Sequence, residues 1–230
     1  MRECQSGGSG GARVRAPQPR PMADEHTVLT YATHAHGRFA ALRKAVPGLV
    51  VGGWGAPWGG YMDKLDFVLA HARRAPADHV LVFLDGFDTE ARLPAAEAVR
   101  RFRAEFGVRV LLSYGALESA LPRLARRRLF GAEGDVCCNT GMYMGYAADV
   151  ARLLDAARRT DHGGNDQTAV ELARAADAAV GVDVGRRVFH NLGAAERAGG
   201  ARDTDAVFLG YNATADATLL RKALGYAAPF

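Results

Sequence analysis

The segment that most constrains this chain is His79-Val80-Leu81-Val82-Phe83-Leu84-Asp85-Gly86-Phe87-Asp88. Its apolar run is rich in branched and aromatic side chains and shows no polar alternation. That is the pattern of a strand covered on both faces, and such strands belong to the interior of parallel α/β sheets. Two carboxylates follow, separated by Gly86 and Phe87. Open α/β sheets bind ligands just outside the carboxyl ends of their strands. A pair of hard oxygen ligands there suits Mg²⁺ or Mn²⁺, which bind phosphate oxygens in turn. The same residues also make a strand-ending Asx turn, with Asp88-Thr89 capping the next helix. The motif alone leaves both readings open.

The flanking sequence supplies the alternation that such a strand needs. Thr27 to Thr33 reads as a first strand, residues 37–45 as a helix ended by Pro47-Gly48, and Leu49-Val50-Val51 as a short second strand. A Gly/Trp loop, Gly52 to Gly60, precedes a helix over 61–74 with apolar residues at helical spacing (Leu65, Val68, Leu69, Ala72). After the aspartates come a helix over 93–105, a strand over 108–113 and a basic helix over 117–129. Val136 to Gly145 reads as a strand broken by Asn139-Thr140-Gly141. Helices are expected over 147–159 and 166–179, with short strands around Val182, Val188-Phe189 and Val207 to Leu209. Strand–helix alternation of this kind predicts a single α/β domain with a central, mostly parallel sheet flanked by helices.

Residues 1–25 are rich in Gly, Ser, Pro and Arg and have little apolar content. They read as a disordered extension without the apolar region of a secretory signal, so the folded body is expected over 26–230. No apolar run approaches the roughly 18 residues of a membrane span. The net charge of +4 comes with arginine clusters at Arg73-Arg74, Arg126 to Arg128, Arg158-Arg159 and Arg186-Arg187. Most fall on alanine-rich amphipathic segments and read as solvated helix faces. No nucleic-acid recognition motif accompanies them, so no nucleic-acid partner is expected. Cys4, Cys137 and Cys138 have no Cys-x-x-Cys spacing, which argues against structural zinc. Reduced thiols, with 137 and 138 buried in a strand, fit a reducing, cytoplasm-like compartment.

Five motifs in order carry a resemblance: Leu29-Thr30-Tyr31-Ala32-Thr33; Trp58-Gly59-Gly60 with Lys64; Phe83-Leu84-Asp85-Gly86-Phe87-Asp88; Asn139-Thr140-Gly141-Met142-Tyr143-Met144-Gly145-Tyr146-Ala147; and Asn165-Asp166-Gln167. From about Val28 to Phe230 the chain resembles the glycosyltransferase domain of the procollagen lysyl hydroxylases and the related collagen glycosyltransferase-like and viral proteins. The resemblance implies a Rossmann-like GT-A fold and transfer of a hexose, galactose or glucose, from a UDP-sugar to an acceptor hydroxyl with Mn²⁺ or Mg²⁺. The acceptor is expected to be a hydroxylysine, another protein group or a glycan. A catalytically inactive nucleotide-sugar-binding domain is the alternative.

The resemblance assigns roles residue by residue. Asp85 and Asp88 become metal ligands, Asp85 also facing ribose. An ion bridging the phosphates would stabilise the charge growing on leaving UDP. Phe87 stands where the family stacks an aromatic on uracil, although a core phenylalanine is the plainer reading. Thr30 and Thr33 match uridine contacts, and Thr33 also reads as a helix N-cap. Trp58 belongs to a loop over the nucleotide, and Lys64 is a diphosphate contact near a helix N-terminus. Asn139 and Gly141 let the strand approach the donor sugar. Asp166, with Asn165, points at the transfer centre as base or stabiliser, whereas a first-turn aspartate is also an ordinary helix cap.

The chain departs from the family at one expected ligand. Where the family has a metal-binding histidine near the domain end, this sequence has Leu209, followed by Gly210-Tyr211-Asn212-Ala213-Thr214. His190 and Asn212 are the candidate substitutes. His34-x-His36 reads as a solvated loop. The acceptor-loop tryptophan of the family has no counterpart in Ser113 to Pro122.

Overall fold

The computed structural model describes residues 26–132, 134–160, 162–193, 196 and 204–211. The expected N-terminal extension, Cys4, Asn212 and Thr214 lie outside them. The strands are β1 (His26–Tyr31), β2 (Val50–Gly52), β3 (Val80–Leu84), β4 (Thr89–Ala91), β5 (Val110–Tyr114), β6 (Cys138–Tyr146), β7 (Val180–Asp183), β8 (Phe189–Asn191) and β9 (Phe208–Gly210). The helices are α1 (Phe39–Ala45), α2 (Met62–Ala72), α3 (Ala95–Glu105), α4 (Ala116–Ala120), α5 (Arg123–Phe130), α6 (Ala147–Arg158) and α7 (Asp166–Arg174).

The main sheet has the order β2-β1-β3-β6-β5-β7. Five strands run parallel and β6 runs against both of its neighbours, β3 and β5. Successive residues of β3 serve opposite faces, as the period of two requires. Leu81 and Phe83 pack with Leu65, Val68 and Leu69 of α2, with Leu153 and Leu154 of α6, and with Ala169 and Val170 of α7. Val80, Val82 and Leu84 pack with Leu42 of α1, with Ala98, Val99 and Phe102 of α3, and with Phe189 and Phe208 of the smaller β4-β9-β8 sheet. Both faces are therefore dry, which is why β3 carries no polar alternation.

Three differences from the sequence reading have local causes. Asp88-Thr89 does not cap a helix: Thr89 begins β4, which pairs with β9, and α3 starts only after Pro94. The basic helix is two helices, because Pro122 follows Leu121 and turns the chain to extended backbone before α5. Asn139-Thr140-Gly141 does not end its strand but interrupts one of its ladders: β6 runs through it, while the pairing with β5 steps from Leu112–Tyr143 to Ser113–Asn139 and leaves residues 140–142 of β6 bulged out.

Most of the clustered arginines are exposed, as expected of solvated helix faces, but Arg126 holds the structure together instead. Arg126 is buried and donates to the carbonyls of Ser119, Leu121 and Gly134, folding the segment after β5 around itself. Arg101 reaches the carbonyls of Arg187 and Asp205 in the same way. Arg73 and Arg158 pair across α2 and α6 with Asp155 and Asp66. Cys137 and Cys138 are free and buried as expected, but only Cys138 lies in a strand, Cys137 immediately preceding β6. Burial, then the Glu171 and Glu118 carboxylates, push the Cys137 thiol up to about 11.

Candidate functional site

The antiparallel course of β6 builds the site. Its first residues stand at the same edge of the sheet as the last residues of β1, β3 and β5. The Asp85 N–H donates to the Gly141 carbonyl at 2.7 Å, joining the Asp-Gly-Phe-Asp segment to the Asn139-Thr140-Gly141 segment. Gly86 fits here because a Cβ would lie 2.9 Å from Thr30 Oγ1 and 3.1 Å from the Ala32 Cβ. Gly37, at φ +55°, is equally constrained: a Cβ would lie 2.2 Å from the Phe87 carbonyl oxygen. The same oxygen accepts from the Arg38 N–H at 2.8 Å, which sets the start of α1 against the loop.

At this edge three elements converge on one ammonium. Lys64, in the first turn of α2, is 7% exposed. Its Nζ lies 2.9 Å from Asp166 Oδ2, at the start of α7, and 3.4 Å from Asp85 Oδ2, after β3. Burial alone would lower the ammonium's affinity for its proton. The Asp166 and then the Asp85 carboxylates more than reverse this and hold it above the ordinary lysine range. Thr140 Oγ1 donates to the same Asp166 oxygen at 3.1 Å.

Asp88 belongs to the same field. Burial, then the Asp85 charge, push its carboxyl up to about 7, against the pull of Lys64 and of a backbone N–H. One ammonium thus faces three carboxylates, Asp85, Asp88 and Asp166. Two of them end a strand with hard oxygen donors, a set that fits Mn²⁺ or Mg²⁺ and offers no soft ligand. Among the described residues no group of three or more His, Cys, Asp or Glu side chains could hold a metal ion. Leu209 is buried with Leu192 and Ala206 in a small apolar cluster. His190 is turned to other partners: Nδ1 to Thr204 Oγ1 at 3.1 Å, and Nε2 to Glu196 Oε1 at 3.0 Å and Arg186 Nη1 at 2.9 Å.

The other expected residues divide. Phe87 is not under the sheet; it is partly exposed, with His34 and His36 ring centroids at 5.4 and 5.6 Å. Trp58 is 48% exposed and edges against Tyr31 and Tyr61, while Asp63 accepts from the Gly59 N–H at 3.0 Å and ties its loop down. The Thr30 hydroxyl is buried and spent on the Leu84 carbonyl at 2.7 Å. Thr33 is not a helix cap: α1 begins at Phe39, and the Thr33 hydroxyl bonds His34 Nδ1 instead. The cap of α7 is Asn165, whose Oδ1 accepts from the Thr168 N–H at 3.1 Å, so Asp166 is free of that duty and turns inward to Lys64.

Sequence reasoning missed Glu118, in α4. It is 5% exposed and accepts from Asn139 Nδ2 at 3.3 Å and Gln167 Nε2 at 3.2 Å. Asn139 Oδ1 then accepts from the Gly141 N–H at 2.9 Å. A lone glutamate in a short amphipathic stretch carries no sequence signal of such a role. His34 and His36 lie in an exposed loop before Gly37, as their spacing was read.

No protein-family model matches the chain, and no curated protein matches it by sequence. Solved structures do match. Galactosyltransferase LgtC, solved in complex with donor and acceptor sugar analogues, is 12% identical at a TM-score of 0.51, covering 89% of this chain and 98% of its own. The bifunctional glycosyltransferase WbbM, in its apo form, is 9% identical at a TM-score of 0.53 and covers 85% of this chain. Mouse xyloside xylosyltransferase 1, also apo, is 14% identical at a TM-score of 0.41 and covers 65% of this chain. The chain spans 47% of the WbbM chain and 64% of the xylosyltransferase chain. No helix among the described residues is long and apolar enough to cross a membrane. The parallel sheet with its one reversed strand, and its match to LgtC across nearly the whole of that chain, establish the GT-A fold.

Proposed function

We propose that this protein is a glycosyltransferase that moves a hexose from a UDP-sugar to an acceptor hydroxyl on a glycan or protein. The observation that carries the reading is the buried Lys64 ammonium, shared by Asp85 at the end of β3 and Asp166 at the start of α7. A cation enclosed among carboxylates at the ligand-binding edge of an α/β sheet is a poor stabilising device, since desolvation offsets much of its attraction. It is a good diphosphate-binding device once a donor enters. Similarity to LgtC, whose complex holds donor and acceptor sugar analogues, favours the same class of substrates.

In this reading Phe87, flanked by His34 and His36, receives the uracil face, and Trp58 covers the sugar. Asp85 and Asp88 would hold a divalent ion, which supplies charge stabilisation for the departing diphosphate. Lys64 donates to the same diphosphate oxygens. Asn139 and Gly141 set the wall beside the sugar, with Glu118 fixing the Asn139 amide. Asp166 acts at the transfer centre, either as base toward the acceptor or as a stabiliser of positive charge on the sugar. The ordered motifs favour the procollagen lysyl hydroxylase type of glycosyltransferase domain, spanning 26–230.

A second reading, a nucleotide-sugar-binding domain without turnover, is favoured by the burial of Leu209 where that family places a metal-binding histidine. Release of UDP from a panel of UDP-hexoses with Mn²⁺ separates them. Turnover abolished by Asp85→Asn supports the transferase; UDP binding with no turnover of any donor supports the second reading.

A further inference from the structure

The loop that follows β3 is held at both ends. At its start the Asp85 N–H donates to the Gly141 carbonyl, and the Phe87 N–H reaches back to Asp85 Oδ1 at 3.3 Å. At its far end two carbonyls are caught from opposite parts of the chain. The Phe87 carbonyl accepts from the Arg38 N–H at 2.8 Å, and the Asp88 carbonyl accepts from the Tyr211 N–H at 2.7 Å. Arg38 immediately precedes α1 and Tyr211 immediately follows β9. Both bonds are made by main-chain groups, so neither of them explains an arginine or a tyrosine at these positions.

The side chains of the same two residues meet. The Arg38 guanidinium carbon lies 3.5 Å from the centre of the Tyr211 ring. Glu90, on β4, accepts from both with one oxygen, Oε2: from Arg38 Nη1 at 2.7 Å and from the Tyr211 hydroxyl at 2.9 Å. A guanidinium stacked on a phenol ring, with a carboxylate shared between them, fixes both residues in direction as well as distance. The three side chains thus close a ring around the Phe87 and Asp88 carbonyls. Their contribution to the fold is small, because the Arg38 and Glu90 side chains are 39% and 35% exposed and ion pairs in such positions add little stability. What the ring does hold is the loop that carries Phe87 and Asp88.

We propose that Arg38, Glu90 and Tyr211 are positioning residues: their side chains clamp together the two chain segments that grip the Phe87 and Asp88 carbonyls, and so keep the Phe87 ring and the Asp88 carboxylate in place for a nucleotide and its divalent ion. The proposal rests on the function proposed above and adds to it the device that orients two of its binding groups. The three residues act through the loop, not by contact with the nucleotide. Partners placed one step behind binding groups in this way set the direction in which those groups point.

The test compares the parent with Arg38→Met and Arg38→Lys by calorimetric titration of UDP with and without Mn²⁺, by thermal melts, and by amide hydrogen exchange of the free protein read by NMR. Arg38→Met removes the stack and the ion pair and leaves the main-chain N–H in place. It should weaken UDP binding in Mn²⁺ about tenfold, the usual loss when a partner behind a metal site is removed. The loss should be smaller without Mn²⁺, when Asp88 has no ion to hold. The melting temperature should move by less than about 4 °C, as befits an exposed ion pair. Arg38→Lys, which keeps a charge beside Glu90, should recover part of the affinity. Exchange at the Tyr211 amide should quicken in Arg38→Met, while the amides of β3 keep the parent's rates. Unchanged UDP affinity in Mn²⁺, an equal loss with and without Mn²⁺, or a larger fall in melting temperature overturns the proposal. If the parent binds no UDP, the donor-binding reading falls by itself and the exchange experiment decides the clamp. A quicker Tyr211 amide over an unchanged β3 then leaves the clamp standing as what holds the loop, and an unchanged Tyr211 amide overturns it too.

Discussion

Replacing Asp88 by asparagine should make the free protein more stable while removing one of the two proposed metal ligands. In the native state burial and the Asp85 charge push this carboxyl from the ordinary 3.8 up to about 7. A carboxyl whose folded value is raised is easier to protonate in the native state than in the unfolded one. Its contribution is therefore most favourable below pH 4 and is lost as the pH rises from about 4 to about 7. Each pH unit in that window withholds about 1.4 kcal/mol, which sets a ceiling of about 4 kcal/mol above pH 7. Asp88 is only partly buried, and its carboxylate also accepts a backbone N–H that asparagine holds less strongly. A realistic gain is about 1–2 kcal/mol, or a melting temperature higher by roughly 2–8 °C for a chain of this size. Melts of parent and Asp88→Asn in EDTA between pH 4 and pH 8 give the comparison. The variant should lead at pH 8, and the gap should close on acidification. A variant that melts at or below the parent at pH 8, or a gap independent of pH, would show that Asp88 is not held in an unfavourable field.

Other outcomes follow from single contacts. Asn165→Ala should lower stability by about 1 kcal/mol, the loss of one N-cap, read as a lower urea midpoint with UDP affinity unchanged. Gly37→Val should displace the Phe87 loop, because the new side chain would meet the Phe87 carbonyl in a left-handed backbone; calorimetry should show weakened UDP binding at least as large as that of Phe87→Ala. Cys137 and Cys138 should resist maleimide at pH 7.5 in the native protein and react in denaturant, as mass spectrometry of the peptides would report.

The sequence made the sheet legible wherever one side-chain pattern had one meaning. The dry run Val80 to Leu84 could only be a strand covered on both faces, and it lies at the centre of the main sheet. The direction of β6 was not legible, because period-two patterning is the same for either orientation, and that direction is what carries Asn139 and Gly141 to Asp85. At Asp88-Thr89 the local pattern left a helix cap open as one reading, and long-range pairing with Phe208 to Gly210 made Thr89 the start of a strand instead. The pair Asn165-Asp166 shows the same competition within one turn. Either residue caps a helix well, and only the position of Lys64 on α2 decides which one turns inward. Glu118 acts through partners distant in sequence, so no local spacing marks it.

The central claim is that Lys64, Asp85, Asp88 and Asp166 form the floor of a nucleotide-sugar site. Calorimetric titration of UDP, with and without Mn²⁺, into the parent and into Lys64→Met tests it most directly. The account predicts that UDP binds the parent more tightly than ADP, GDP or CMP do, that Mn²⁺ strengthens the binding, and that Lys64→Met weakens it at least tenfold, the loss of a charged phosphate contact. Equal affinity for all four nucleotides, or UDP bound by Lys64→Met as tightly as by the parent, would contradict it.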